Sequence, residues 1–294
     1  METATAEAPR SQPLVGVALA VGVLAIAFAA IFFKKAAPTH PLVKSGLRLA
    51  FASVLLAPLV LRGWWRGHLT RPVVKAAGIA GVLYAVHFGA WVWSLDLTTV
   101  AASVTLVTAT PLLLAVFGLI TGQDRPQGRV WVALGMAAVG VAIIGGADFA
   151  LSPDALLGDG LAGLGAAAMA VYLLVVRRLG DIDIGAFMGL ACAVGATVLL
   201  GTSAALGLDL APASDEALLY LVLAALIPQL IGHVLLTWAV RHTSPTLVGL
   251  STLGEPVGST ALGWVWLGES VPPWVGLGCL VVLGALVLAL WRRP

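Results

Sequence analysis

A single acidic residue, Glu255, lies in the middle of a long apolar stretch of this 294-residue sequence. The other thirteen acids fall between such stretches or at their ends. An ionised carboxylate at the centre of an apolar membrane helix costs about 2.5–3.5 kcal/mol on insertion scales. Glu255 therefore predicts either a proton site or a partner for a substrate ammonium. The alternative is a structural role, in which a neutral acid bonds to a helix that Pro256 has broken.

Four side chains that combine aromatic area with hydrogen-bonding groups recur at helical spacing: Tyr84, His87, Trp91 and Ser94. Steps of three and four residues place them on one face of a helix. In lipid that face would lose its polar contacts, so we expect it to contact a neighbouring helix or a cavity. Aromatic stripes more often pack than bind ligands, and the histidine favours the cavity.

Two further candidates, Gln229 and His233, follow Pro228 inside another apolar stretch. A proline within a membrane helix predicts a bend that frees backbone carbonyls for a polar site. A plain helix–helix hydrogen bond is the competing interpretation of His233.

Two more stretches contribute candidates. Met169 and Tyr172 share a helix face that suits a cavity wall, whereas Thr108 and Thr110 either face a cavity or bond their own backbone. The candidate substrate-binding residues are therefore Tyr84, His87, Trp91, Thr108, Thr110, Met169, Tyr172, Gln229, His233 and Glu255.

Motifs of soluble enzymes are missing from the sequence. It contains no His-Glu-x-x-His helix, no Gly-Lys-Ser/Thr phosphate loop and no Gly-x-Ser-x-Gly elbow. We therefore expect no catalytic residues, no metal site, no cofactor and no ATP-driven pump. A membrane protease would have to pair Ser251 with His233, which is not favoured. A net charge of +2 indicates no nucleic-acid partner.

The elements that must position these residues follow from composition. Hydrophobic residues make up 60% of the chain and charged residues 10%, against about half and a quarter in soluble domains. A helix needs about 20 apolar residues to cross the hydrocarbon core. This window predicts an all-α polytopic membrane protein with ten transmembrane helices, near 14–33, 42–61, 73–94, 97–120, 130–147, 158–177, 184–206, 216–240, 243–267 and 271–291.

Ten spans put both termini on one side of the membrane, and the distribution of Lys and Arg indicates which side. With a cytoplasmic N-terminus, twelve of these cations lie inside, and only Lys34, Lys35, Lys44 and Arg48 lie outside. We expect both termini in the cytoplasm, with residues 1–13 as a cytoplasmic tail. The pair Lys34 and Lys35 does not fit this orientation.

A shift of 145 residues aligns the two halves of the chain. The aligned pairs are Trp93 with Trp238, Thr98 with Thr243, Pro111 with Pro256, and Gly118 with Gly263. Residues 14–147 and 158–291 are thus predicted to form two repeats of five spans, and the odd number inverts the second. Inverted repeats are typical of secondary transporters, in which two halves rock around a site near the midplane. We therefore expect a central cavity between the halves.

The segment 245–256, followed by Gly263 and the triplet 267–269, resembles the ninth-helix signature of the EamA-type drug/metabolite transporters. A glycine-rich fifth span and Arg48 also match, and the resemblance extends from about residue 14 to 291. It implies export of amino acids or other small metabolites across the bacterial inner membrane, with the site between the two halves. Within the family, Tyr84 and the stretch 170–172 look most like the aromatic amino-acid exporters.

Together these patterns predict a secondary transporter that works by alternating access, with the small-molecule substrate held between spans 3, 4, 6, 8 and 9 of a protein embedded in the lipid bilayer. Aromatic and thioether groups would receive an aromatic or other apolar side chain of an amino acid. His87, His233, Gln229 or Glu255 would meet its polar ends, and Glu255 would also serve proton coupling. The alternative is a channel or facilitator for small amphipathic solutes or drugs.

Overall fold

A computed structural model describes residues 12–98, 100–122, 128–145, 152–268 and 271–290. Within these ranges every regular element is a helix, and the helices form ten spans. Span 2 is Pro41–Trp65, span 3 is Arg71–Leu97, span 5 is Arg129–Gly145, span 6 is Pro153–Arg177, span 7 is Ile184–Ala205 and span 10 is Pro273–Leu290. The remaining four spans are interrupted.

Each interrupted span consists of two or three helical segments. Span 1 comprises Gln12–Ala27 and Ala29–Lys35, and span 4 comprises Val100–Val107 and Thr110–Thr121. Span 8 contains Asp215–Ala224, a π-helical Ala225–His233 and Val234–His242. Span 9 contains Pro245–Thr252, Gly254–Leu262 and a π-helical Gly263–Leu267.

The predicted fold class is confirmed. Among the described residues, spans 1–4 and 6–8 provide helices of at least 18 residues that are apolar enough to cross a membrane. Spans 5 and 10 are shorter apolar helices, and span 9 is interrupted at Leu253. The predicted tail lies mostly outside the described residues.

One span boundary differs from the prediction. We placed Leu95 and Asp96 in a linker, but the helix of span 3 continues to Leu97. Asp96 is part of this helix, and its carboxylate lies 3.5 Å from the ammonium of Lys44 in span 2. The helix ends where Thr98 becomes extended, with φ −132° and ψ −179°.

Helices of the second half begin at well-formed caps. The side chains of Ser152, Asp183, Ser214 and Ser244 accept a hydrogen bond from the backbone N–H three residues ahead, at 3.0–3.2 Å. Each cap satisfies one of the amides that a helix leaves unpaired at its start and contributes about 1 kcal/mol. Spans 6 to 9 therefore start where the sequence supplies a short polar side chain.

Prolines break spans 4 and 9 at equivalent points. The interruption at Thr108 and Ala109 precedes Pro111, and the interruption at Leu253 precedes Pro256. Proline has no N–H and its ring collides with the carbonyl four residues earlier. In span 4 that carbonyl, of Val107, accepts a hydrogen bond from the Thr110 hydroxyl at 3.2 Å. The two halves thus share a broken helix at equivalent positions, in addition to the sequence matches 145 residues apart.

Helix packing also reflects the repeat, in which span n of the first half corresponds to span n + 5 of the second. Span 2 packs on span 7, span 4 on span 9 and span 5 on span 10, so each of these six spans contacts its own counterpart. Span 3 packs on span 6, and the equivalent pair, spans 1 and 8, is also in contact. The described spans therefore form two five-helix repeats with equivalent contacts between them.

The buried apolar residues fall into two clusters. The larger is built mainly from spans 1–3 and 6–8, and the smaller from spans 4, 5, 9 and 10. Small residues let the helices approach closely where lipid offers no hydrophobic drive for association. A Cβ on Gly81 of span 3 would lie only 2.6 Å from the backbone oxygen of Ala191 in span 7.

This contact predicts opposite effects for two glycines one turn apart. We expect Gly81→Ala to destabilise the protein by about 1–3 kcal/mol, because the added methyl group overpacks the interface of spans 3 and 7. Gly78→Ala is the matched control, since a Cβ there meets no atom within 4 Å, and we expect it to be neutral or stabilising by up to about 1 kcal/mol. Melting temperatures in detergent measure both; equal shifts would contradict the close approach.

Candidate functional site

A cavity lies among spans 1, 3, 4, 6, 8 and 9, beside the breaks of spans 4 and 9. Its volume is about 40 Å³. Both halves line it, the first through spans 1, 3 and 4 and the second through spans 6, 8 and 9. The lining residues are Ile26, Ala29, His87, Trp91, Val107, Thr108, Thr110, Met169, Tyr172, Leu173, His233, Leu236, Thr237, Val248, Thr252 and Glu255.

Eight of the ten candidate residues line this cavity. They are His87, Trp91, Thr108, Thr110, Met169, Tyr172, His233 and Glu255. The other two, Tyr84 and Gln229, are buried behind the wall. The spans that meet here include the five predicted ones, and span 1 adds Ile26 and Ala29.

Glu255 opens the second helical segment of span 9, directly after the break at Leu253. Its side chain is 8% exposed, and within the part of the chain that the structure describes no hydrogen bond or ion pair engages it. The first turn of a helix favours a negative charge because the unpaired amides there carry partial positive charge. The break therefore holds a carboxyl group at the cavity, where it interacts electrostatically with Arg48 but forms no direct contact with it among the described residues.

His87 is held in one tautomer by its neighbour across the interface of spans 3 and 6. Its Nδ1 lies 2.8 Å from the carbonyl oxygen of Gly165. A carbonyl only accepts, so Nδ1 carries the proton and donates, and in the neutral ring Nε2 is left as an acceptor. His233 completes an aromatic group with Tyr84, His87 and Phe88, at centroid distances of 5.2–6.4 Å.

Trp91 presents an indole with an unused donor. It is 3% exposed, it is stacked 6.2 Å from His87, and its Nε1 has no hydrogen-bond partner in the described structure. Buried polar groups are almost always paired. The orphan N–H therefore marks a place where a ligand or water acceptor would bind.

Tyr172 forms a rigid part of the wall. Its hydroxyl lies 2.7 Å from the hydroxyl of Thr237 in span 8, and its ring stacks 4.5 Å from Tyr84. The two phenols also contact Met188 of span 7. Tyr84 thus supports the cavity from behind through Tyr172.

The two threonines before Pro111 bond backbone, as one of the two interpretations expected. The hydroxyl of Thr108 donates to the carbonyl oxygens of Val104 and Thr105. Thr110 donates to Val107 of its own span and Ala166 of span 6. Their oxygens retain lone pairs, so at the cavity these residues can still act as acceptors.

Arg48 is a buried cation that the sequence analysis did not select as a site residue. It is fully buried in span 2, at 0% exposure, although we counted it among the charges of the outer side. Its Nη2 donates to Oε1 of Gln229 at 2.8 Å. Its guanidinium lies 4.2 Å from the ring centre of Phe88 and 5.6 Å from that of Phe33. The signal was its position one turn inside a span, where a cation is costly.

The remaining cations assigned to the outer side also find partners near the ends of the spans. The ammonium of Lys34 donates to the carbonyl oxygen of Leu95 at 3.2 Å, in the last turn of span 3, where positive charge is favoured. Lys44 is 2% exposed and pairs with Asp96. Lys34 and Lys44 therefore act as links between spans, which explains why they depart from the loop-charge pattern.

Aromatic side chains of spans 1, 8 and 9 pack together near these links. Phe28 and Phe32 of span 1 pack edge-on against Trp266 of span 9, at 6.3 and 6.0 Å. Phe32 also lies 6.0 Å from Tyr220 of span 8. The backbone N–H of Ala213 donates a hydrogen bond to the hydroxyl of Thr39 at 2.9 Å, which joins the two halves at the same end.

Among the residues described, no cluster of three or more His, Cys, Asp or Glu side chains is arranged to hold a metal ion. Cys192 and Cys279 are free thiols. Only water-sized groups fit the cavity as it stands, and its polar groups are two imidazoles, an indole, hydroxyls and one carboxyl. Such a set recognises a small polar molecule that also carries apolar area.

Two five-helix repeats that share a cavity define a multi-pass membrane protein. The chain belongs to the EamA-like transporter family, which matches residues 14–146 and again residues 156–291. This confirms the resemblance to the EamA-type drug/metabolite transporters and the expectation that the protein is a transporter of small molecules and not an enzyme.

Comparison with solved structures agrees with the fold. One crystal structure, 20% identical in sequence, superposes with a TM-score of 0.75 over 95% of this chain and 98% of the other. At that identity the similarity establishes the fold alone. No curated protein matches the sequence.

Proposed function

We propose that this protein exports small metabolites by alternating access, and that its substrates are amino acids with aromatic or other apolar side chains. The observation that carries the proposal is the cavity itself. It lies beside the two equivalent helix breaks, it is lined by both halves, and it contains a buried carboxyl that forms no hydrogen bond or ion pair among the described residues. Secondary transporters bind their substrates at such a position, between broken helices of inverted repeats.

The size of the cavity favours alternating access over a channel. A volume of about 40 Å³ holds only a few water molecules, whereas small-molecule sites measure about 300–1,000 Å³. A metabolite can therefore bind only after the two halves move apart. A channel or facilitator for small amphipathic solutes or drugs would instead need a wide continuous path. Conductance of the purified protein in planar bilayers would favour that alternative.

Each wall suits a different part of the substrate. Trp91, Met169 and Tyr172 offer aromatic and thioether surface to an apolar side chain. His87, His233 and Glu255 offer acceptors or charge to its polar ends, and the hydroxyls of Thr108 and Thr110 offer acceptors. In this proposal Tyr84 and Gln229 act from behind the wall, through Tyr172 and Arg48.

The charge distribution supports a location in the bacterial inner membrane with both termini in the cytoplasm. Cations other than the four near the first loop lie on the inner side in this orientation. Residues 1–13 then form a cytoplasmic tail, and residues 14–147 and 158–291 form the two repeats.

Counterflow in proteoliposomes tests the function. Vesicles preloaded with an unlabelled amino acid should accumulate the same labelled amino acid, because a carrier exchanges substrate faster than it completes net transport. We expect accumulation for phenylalanine, tryptophan and leucine and none for aspartate, whose second carboxylate would meet Glu255. Failure with every amino acid and amine would remove the exporter function.

Glu255→Gln tests proton coupling. If Glu255 carries the coupled proton, an imposed pH gradient should drive uptake by the wild type but not by the variant. The variant also loses the charge that meets the substrate ammonium, so we expect its counterflow to persist only at a higher substrate concentration. Glu216→Gln is a matched control, because Glu216 is an exposed acid at the start of span 8. An unchanged response of Glu255→Gln to the gradient would assign this residue a structural role.

A further inference from the structure

Three buried N–H groups near the cavity have no acceptor in the described structure: Nε1 of Trp91, and Nε and Nη1 of Arg48. Buried donors are paired in nearly all proteins, and an unpaired charged donor is the costliest kind. Arg48 cannot shed its charge, because a guanidinium stays protonated in proteins. Within the described ranges its one hydrogen bond goes to the neutral Gln229. The part of the site around Arg48 and Trp91 therefore has a surplus of donors and of positive charge.

These donors lie on the same side of the cavity. Phe33 packs against both of them, 5.8 Å from the Trp91 ring and 5.6 Å from the Arg48 guanidinium carbon. Phe88 contacts both as well. All four residues belong to spans 1, 2 and 3, so the first half alone supplies this donor-rich side.

The second half supplies the opposite chemistry. Glu255 of span 9 lines the same cavity with a carboxyl that forms no hydrogen bond or ion pair among the described residues. Glu255 and Arg48 interact electrostatically, but they make no direct contact in the part of the chain that the structure describes. A single ligand with an anionic end and a cationic end would satisfy both.

We propose that the cavity selects zwitterions: the substrate's anionic group binds on the side of Trp91 and Arg48, and its ammonium binds Glu255. This inference rests on the proposed function and assigns the two ends of its substrate. Trp91 lines the cavity and donates its N–H directly to the anionic oxygen. Arg48 does not line the cavity in this conformation, and it acts as a fixed positive charge behind Phe33 and Phe88.

Charge balance explains why a zwitterion is preferred. In a low-dielectric site an uncompensated charge interacts strongly over several ångströms. A substrate that carries only an ammonium would balance Glu255 and leave Arg48 without a counter-charge. A substrate that carries only a carboxylate would balance Arg48 and leave Glu255 opposed. The zwitterion balances both, and it bridges the first half to the second.

Three probes of the same ring size test the inference by equilibrium binding to the purified full chain. They are labelled L-phenylalanine, phenethylamine, which lacks the carboxylate, and 3-phenylpropanoate, which lacks the ammonium. We expect L-phenylalanine to bind about tenfold or more tightly than either analogue, as the loss of a charge-assisted hydrogen bond requires.

Variants then test which residues bind the carboxylate end of the substrate. Arg48→Gln should reduce the preference for L-phenylalanine over phenethylamine by about tenfold, and Arg48→Lys should restore part of it. Trp91→Phe keeps the ring and removes the N–H, so it should weaken both carboxylate-bearing probes and spare phenethylamine. Arg62→Gln removes an exposed cation from the other end of span 2 and should change no ratio.

The ratios of the binding constants of the three probes distinguish a role of Arg48 in binding the carboxylate from a purely structural role. If Arg48→Gln weakens all three probes equally, or the wild type binds phenethylamine as tightly as L-phenylalanine, the assignment of the anionic end is wrong, although the transporter function stands. If none of the three probes binds, the amino-acid substrate class is wrong, and the inference falls with it. Trp91→Phe provides an independent reading where Arg48→Gln does not fold.

Discussion

Proline inside a membrane helix imposes the constraint on which the remaining structure depends. Lipid offers no donor for the carbonyl that a proline leaves unpaired, so a break is tolerated only where protein or a water-filled space surrounds it. Pro111 and Pro256 are 145 residues apart, and both break their spans at the same relative position. The two breaks must therefore face inward together, and the cavity lies beside them.

The same requirement applies to charge. Arg48 and Glu255 are both buried, at 0% and 8% exposure, and they belong to different halves. The protein offsets the guanidinium with Gln229 and two phenyl rings, which provide partial compensation through a hydrogen bond and cation–π contact. Because the two opposite charges belong to different halves and make no direct contact among the described residues, a ligand that binds between them can change how strongly the halves attract each other.

Much of the fold could be predicted because the bilayer sets the length of its elements. Apolar runs gave the ten spans, and Pro111 with Pro256 gave the repeat. Polar side chains inside those runs identified most of the cavity, since His87, His233 and Glu255 have few tolerable positions in lipid. These signals are strong where a residue type conflicts with its apolar surroundings.

Other features left no such signal. Ile26 and Ala29 line the cavity, but an apolar residue in an apolar span looks the same whether it faces lipid or ligand. Arg48 and Lys34 carry charges inside or at the end of apolar spans, where a charge is costly. The sequence analysis nevertheless counted both among the loop cations of the outer side. Their partners, Gln229 and the carbonyl of Leu95, are 181 and 61 residues away. Only the packing of the spans brings such partners together.

The opposite insertion of the two halves can be measured at one pair of equivalent loop positions. His68 and Ala213 are 145 residues apart and both are exposed. With Cys192 and Cys279 replaced by serine, single cysteines at these positions can be labelled with a membrane-impermeant maleimide in intact cells and in inside-out vesicles. Inverted repeats require label at Ala213→Cys only in cells and at His68→Cys only in inverted vesicles. Labelling of both positions from the same side would contradict the inverted architecture and the cavity derived from it.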